Sequence, residues 1–68
     1  MAYEYLLNFG AKIRLLRIQQ KWAPKELARR LNWSVETLYL VERGGKELTV
    51  VQANEVARML HVPLNQLL

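Results

Sequence analysis

The sequence predicts an all-α fold, a compact bundle of five short helices. Apolar residues recur every three or four positions along most of the chain, and the period-two alternation of β-strands is absent. Of the three glycines and two prolines, all but Gly10 fall between these apolar segments or at their start. A chain of 68 residues is long enough for one domain, so we expect residues 1–68 to form a single unit.

Composition excludes several classes of protein. The chain has no cysteine, which rules out a disulfide framework, and its six carboxylates and one histidine lack metal-ligand spacing. We therefore expect neither a metal nor a cofactor. We also expect no enzymatic activity, because Ser34 has no histidine near it in sequence and His61 lies in a predicted turn. So small a chain also has little room for a small-molecule ligand.

Hydropathy and charge favour a cytoplasmic protein with a polyanionic partner. No apolar run approaches the roughly 18–20 residues of a membrane span, and the N-terminus lacks the pattern of a signal peptide. The lack of cysteine fits a reducing compartment. The net charge of +4 and the isoelectric point near 9.9 favour nucleic acid, whose phosphates bind lysine and arginine.

The first predicted helix, residues 4–20, is apolar on two sides. The expected core stripe consists of Leu6, Phe9, Ile13 and Leu16. The second stripe, nearly opposite, consists of Tyr3, Leu7, Ala11, Leu15 and Ile18. Two interpretations of the second stripe stay open: packing against the last helix with ordinary exposure of single apolar groups, or an interface with a second copy or another protein. Gly10 lies within this helix and is expected to weaken it.

Four shorter helices follow. The second covers residues 24–31 and begins at Pro24; the following residue, Asn32, terminates it because asparagine tolerates a left-handed conformation. The third covers residues 35–42, with Ser34 as its N-cap, Leu38 and Val41 inward, and two glycines after it.

Thr49 and Gln52 fit a capping box at the start of the fourth helix. The inner stripe of the fourth helix is Ala53, Val56, Ala57 and Leu60. The fifth helix starts at Pro63 and carries Leu64, Leu67 and Leu68 for packing.

Residues 9–67 resemble the lambda-repressor-like helix-turn-helix domains of the Cro/Xre type. The likeness rests on four segments that align without a gap: FGAKIRLLR, KWAPKELARRLNWS, LYLVERG and ARMLHVPLNQLL. The resemblance places the helix-turn-helix at about residues 24–42 and implies a bacterial or phage transcription regulator of repressor type. It further implies that the third helix enters the major groove of double-stranded DNA, and that a homodimer binds two half-sites ~34 Å apart.

The resemblance also assigns roles to individual residues. The positions expected to contact bases are Val35, Glu36, Thr37, Tyr39 and Leu40. The positions expected to contact the DNA backbone are Lys21, Lys25, Ser34, Arg43 and Lys46. Arg17 and Glu42 stand where the family often has a buried ion pair.

Departures from the family pattern support a second hypothesis, a non-enzymatic adaptor that binds a protein. Ala23-Pro24 replaces the Ser-Gln or Thr-Gln that commonly begins the second helix, which leaves the amides of Lys25 and Glu26 as the donors there. The outward positions of the third helix lack the arginine and glutamine contacts of strong base recognition. The residues of a possible partner interface are Leu7, Leu15, Ile18, Leu64, Leu67 and Leu68.

Overall fold

A computed structural model describes the backbone of residues 2–68 and the side chains of residues 7–68. The elements, in chain order, are α1 (Ala2–Gln19), α2 (Pro24–Arg30), α3 (Val35–Glu42), α4 (Val50–Met59) and a 3₁₀ turn (Leu64–Gln66). Over the described residues the fold is all-α, as predicted, and contains no strand. The side chains of Tyr3 and Leu6, which were assigned to the two stripes of α1, lie outside the described residues.

The prediction of a fifth α-helix was wrong. After Pro63 the amide of Gln66 donates to the Pro63 carbonyl at 3.0 Å, and the amide of Leu67 donates to the Leu64 carbonyl at 2.9 Å. These i to i+3 bonds define a single 3₁₀ turn, which suits short segments better than an α-helix does. Because one isolated turn gains few hydrogen bonds for the dihedral angles it fixes, its position depends on packing, which the buried Leu67 supplies.

The core draws on every element. Its most deeply buried side chains are Ile13, Leu27, Leu38, Val41, Val56, Leu60 and Leu67. Two half-buried tryptophans, Trp22 before α2 and Trp33 after it, pack against this core. The apolar spacing predicted from the sequence therefore selects the inward faces of the helices correctly.

Capping residues set the limits of the short helices. Ser34 caps α3, and Thr49 forms with Gln52 the capping box predicted at the start of α4. Asn32 after α2 and Gly44 after α3 have positive φ angles of 60° and 77°, as a left-handed helix end requires. Of these residues, Asn32 and Ser34 lie in the short link between α2 and α3.

Gly10 marks a close crossing of α1 and α3. A Cβ atom at this position would lie 2.6 Å from the carbonyl oxygen of Glu42 and even closer to that of Val41. Because both atoms belong to the backbone, a side chain at residue 10 would force the two helices apart. The glycine that the sequence marks as a weak point in α1 is therefore the position where the last turn of α3 makes contact.

Candidate nucleic-acid interface

Helix α3 divides its residues between two faces. Leu38, Val41 and Glu42 are buried against the rest of the domain. Three of the predicted base-contacting residues, Glu36, Tyr39 and Leu40, are exposed. The other two predicted base-contacting residues, Val35 and Thr37, are half-buried, and Val35 packs against the core. Their surface available to a ligand is therefore smaller.

Ser34 and Thr37 are tied together at the start of α3. The Ser34 Oγ atom accepts a hydrogen bond from the Thr37 amide at 3.1 Å and lies 3.0 Å from the Thr37 hydroxyl oxygen. Ser34 was predicted to contact the DNA backbone. In the structure its hydroxyl already serves as the N-cap of α3. Only one of the two hydroxyl hydrogens is used between Ser34 and Thr37, so the pair still has one O–H donor for a ligand.

Arg17 and Glu42 form a buried ion pair between α1 and the end of α3. The Nε atom of Arg17 donates to one carboxylate oxygen of Glu42 at 2.7 Å, and Nη2 donates to the other at 3.3 Å. The remaining Nη1 donates to the carbonyl oxygen of Trp22 at 3.3 Å. The two residues are only 7% and 8% exposed. This pair holds the last turn of α3 against α1 and so orients its outward face.

The predicted backbone-contacting cations are all exposed. Lys25 stands in the first turn of α2, Arg43 directly after α3, and Lys46 in the loop that follows. Lys21 lies in the turn before α2 and has a positive φ of 62°. These four cations lie next to α2 and α3 in the chain and are accessible to solvent, as phosphate contacts require.

The start of α2 offers fewer donors than predicted. Ala23 occupies the N-cap without a side-chain hydrogen bond. The amide of Glu26 is not free, because it donates to the Ala23 carbonyl at 3.0 Å. The Lys25 amide and ammonium group are therefore the donors that α2 presents at this end.

The predicted partner interface divides into two surfaces and loses one member. Leu7, Leu15 and Ile18 are exposed on α1. At the other surface Leu68 is exposed and Leu64 half-buried, but Leu67 is completely buried and belongs to the core. The assignment of Leu67 to an interface was therefore wrong, because the 3₁₀ turn directs it inward.

Two features of the surface were not predicted from the sequence. Val50 and Val51 at the start of α4 are 72% and 70% exposed, and Val50 lines an apolar cleft with Leu68. A helical wheel centred on the inner stripe of α4 places Val51 opposite the stripe but Val50 only on its flank, so the exposure of Val50 does not follow from periodicity. The other feature is Arg14, which shares a depression with Tyr39 and Arg43. Its position on α1 gave no signal, since the pairing of α1 with α3 is a tertiary contact.

Within residues 2–68 no helix combines the length and the apolar character that crossing a membrane requires. Residues 13–67, which contain the helix-turn-helix described above, match a family model described as helix-turn-helix. The chain belongs to the helix-turn-helix family. The match covers most of the chain, and it confirms the resemblance to Cro/Xre-type domains on which the site residues were assigned.

Solved structures agree with this membership. The DNA-binding domain of BldD is 31% identical, with 100% of this chain and 99% of that chain covered and a TM-score of 0.87. The restriction-modification controller protein C.AhdI from Aeromonas hydrophila is 26% identical over 97% of this chain and 100% of that one, with a TM-score of 0.88. The clp gene regulator ClgR from Corynebacterium glutamicum is 25% identical over 93% of this chain and 81% of that one, with a TM-score of 0.88. No curated protein sequence matches this helix-turn-helix chain.

Proposed function

We propose that this helix-turn-helix protein is a sequence-specific, repressor-like regulator of transcription that places α3 in the major groove of double-stranded DNA. One observation supports the proposal most strongly. Glu36 and Tyr39 on the outer side of α3 are exposed, while its inner face and the Arg17–Glu42 pair fix the helix on the domain. A helix held in this way can present side chains to base edges without disturbing the core. Membership of the family and the similarity to DNA-binding regulators support the same conclusion.

The base contacts follow from the chemistry of the outer face. The Glu36 carboxylate accepts hydrogen bonds and suits the amino group of cytosine. Leu40 and the exposed part of Val35 suit the methyl group of thymine. These contacts discriminate less strongly than the arginine–guanine and glutamine–adenine pairs, so we expect modest specificity for each half-site.

Affinity then depends mainly on phosphate contacts by Lys21, Lys25, Arg43 and Lys46. Four such contacts for one subunit give a slope of about −4 in the logarithm of the binding constant against the logarithm of salt concentration. A homodimer on two half-sites would double the number of contacts. For the dimer interface we propose the apolar surface that Leu68 and Val50 form beside the half-buried Leu64, because a cleft there is open to a side chain of a second copy.

Selection from a random pool of duplexes, at low and at moderate salt, tests the proposal. We expect a recovered motif with two half-sites about one helical turn apart, and a Glu36→Ala variant should change the preferred base at one position of each half-site. Arg43→Ala should instead weaken binding to all sequences alike.

Weak binding with no recovered motif would contradict the proposal. That result would favour the second candidate, a protein-binding adaptor, for which the exposure of Leu15 and Ile18 on α1 is the specific observation. Such a partner, held through an apolar surface, would show little dependence on salt.

A further inference from the structure

Helices α1 and α3 enclose a shallow depression beside the outer face of α3. Its walls come from two elements that are far apart in sequence, and its lining residues are Arg14, Arg17, Tyr39, Glu42 and Arg43. Of these, Arg14 has no role in the contacts described so far. Tyr39 and Arg43 were assigned above to separate tasks, one to bases and the other to the DNA backbone.

The close crossing of the two helices explains why Arg14 lies here. Gly10 brings the backbone of α1 against the carbonyl groups at the end of α3. Arg14 follows Gly10 by one helical turn, and Arg17 follows by almost two. The buried Arg17–Glu42 pair then forms the floor of the depression, while Arg14 and Arg43 are exposed at its rim.

The charge balance of the depression is positive. Three arginines and one glutamate give a net charge of +2, three minus one. Arg17 is engaged by Glu42 through two hydrogen bonds and is thereby neutralised. Among residues 7–68 neither Arg14 nor Arg43 has an ion-pair partner. Two guanidinium groups and the phenol of Tyr39, which is 42% exposed, are therefore free to bind an anion.

We propose that this depression binds a phosphate of the DNA backbone, held by Arg14 and Arg43 with the hydroxyl of Tyr39 as an additional donor. The inference rests on the proposed function. Planar guanidinium groups match the oxygens of a phosphodiester, and tyrosine hydroxyls also donate to phosphates. Glu36, Tyr39 and Arg43 follow one another at helical spacing, so a strand that passes the outer face of α3 also passes the depression. Tyr39 is thereby a backbone contact, and base recognition belongs to Val35, Glu36 and Leu40.

Arg14→Ala tests the site, with Arg58→Ala as its matched control. Both residues are exposed arginines within helices, and both changes lower the net charge by one. Arg58, however, lines a different groove, with Trp22 and His61. The measurement is the dissociation constant for the selected duplex and for an unrelated duplex, by fluorescence anisotropy over a series of salt concentrations.

For each bound subunit we expect Arg14→Ala to weaken binding to both duplexes by about tenfold, the loss of one charge-assisted hydrogen bond, and to reduce the salt slope by about one. Arg58→Ala should leave affinity within about twofold. Tyr39→Phe should weaken both duplexes equally and leave the recovered motif unchanged. Thermal melting of each variant checks that the fold is intact.

Equal affinities of the Arg14→Ala and Arg58→Ala variants would overturn the phosphate site while leaving DNA binding itself in place. A changed motif in Tyr39→Phe would return Tyr39 to the base-contacting group and also contradict the inference. If the wild-type protein bound no duplex at all, the proposed function and the phosphate site would fail together.

Discussion

Arg17 on α1 and Glu42 at the end of α3 are joined by two hydrogen bonds of 2.7 Å and 3.3 Å, although 25 residues separate them in the chain. Both charges are withdrawn from water, so each depends on the other for solvation. The Trp22 carbonyl completes the set of partners around the guanidinium group. The orientation of α3 is thus coupled to a charge pair as well as to apolar packing.

Removing one member of this pair should be strongly destabilising. We expect Glu42→Ala to lower the free energy of unfolding by about 3–5 kcal/mol, because the Arg17 guanidinium would stay buried without its counter-charge. Urea denaturation followed by tryptophan fluorescence measures this change. The chain has two tryptophans, and both lie against the core.

The double variant Arg17→Met, Glu42→Leu is the control for that prediction. It removes both charges and fills the space with apolar groups, so it should be clearly more stable than Glu42→Ala alone. A double variant as unstable as the single one would mean that packing volume, and not the unpaired charge, determines the loss.

Gly10→Ala should also destabilise the fold. In an exposed helix this change would add up to about 1 kcal/mol of stability, since alanine is the better helix former. Here the new methyl group would meet two backbone carbonyls of α3, and overpacking of this kind typically costs about 1–3 kcal/mol. We expect a net loss, measured as a lower melting temperature by circular dichroism. Ala11→Gly, one residue away at an exposed position, reports the propensity effect alone.

Ala23→Ser should stabilise α2. Ala23 already has the extended φ and ψ angles of an N-cap, −66° and 139°, but has no side-chain oxygen. Serine there would complete a capping box with Glu26, and N-cap side chains contribute about 1 kcal/mol. A rise in the urea midpoint with an unchanged slope would fit this prediction. Ala23→Val tests it, since it adds volume without an acceptor and should give no gain.

Leu68→Glu should weaken self-association if the proposed dimer surface is correct. Leu68 and Val50 flank an apolar cleft, and a carboxylate buried there would lose its hydration. We expect the dimer dissociation constant to rise at least about tenfold, measured by sedimentation equilibrium. Leu15→Glu makes the same change on α1, where Leu15 is similarly exposed. If only Leu15→Glu produced monomers, the interface would lie on α1 instead.

Local patterns in the sequence were sufficient to predict much of the fold. The N-cap of Ser34 and the capping box of Thr49 act over three or four residues, so the sequence alone indicates them. The inward faces of α3 and α4 follow from helical periodicity for the same reason. The pairing of Arg17 with Glu42 was predicted from the resemblance to a known family, and not from local chemistry.

The structural features that the sequence did not indicate depend on tertiary contacts. The burial of Leu67 follows from the 3₁₀ turn. Apolar periodicity in the sequence does not distinguish such a turn from a short α-helix. The role of Gly10 depends on the path of α3, and the position of Arg14 depends in turn on Gly10. Each of these residues acquires its role from an element distant in sequence.

The division of α3 into an inner and an outer face has a practical consequence for engineering. The packing of α3 against the rest of the domain depends on Leu38, Val41 and Glu42. Glu36 contributes little to this packing because it is exposed to solvent. Substitutions at the exposed positions of α3 should therefore cause little loss of stability, so these positions are suited to varying the proposed base contacts. Leu40 limits this freedom, because its side chain packs so closely over Gly45 that a Cβ there would lie 2.7 Å from it. A library that varies residue 36 and keeps Leu40 and Gly45 constant would retain the most folded members.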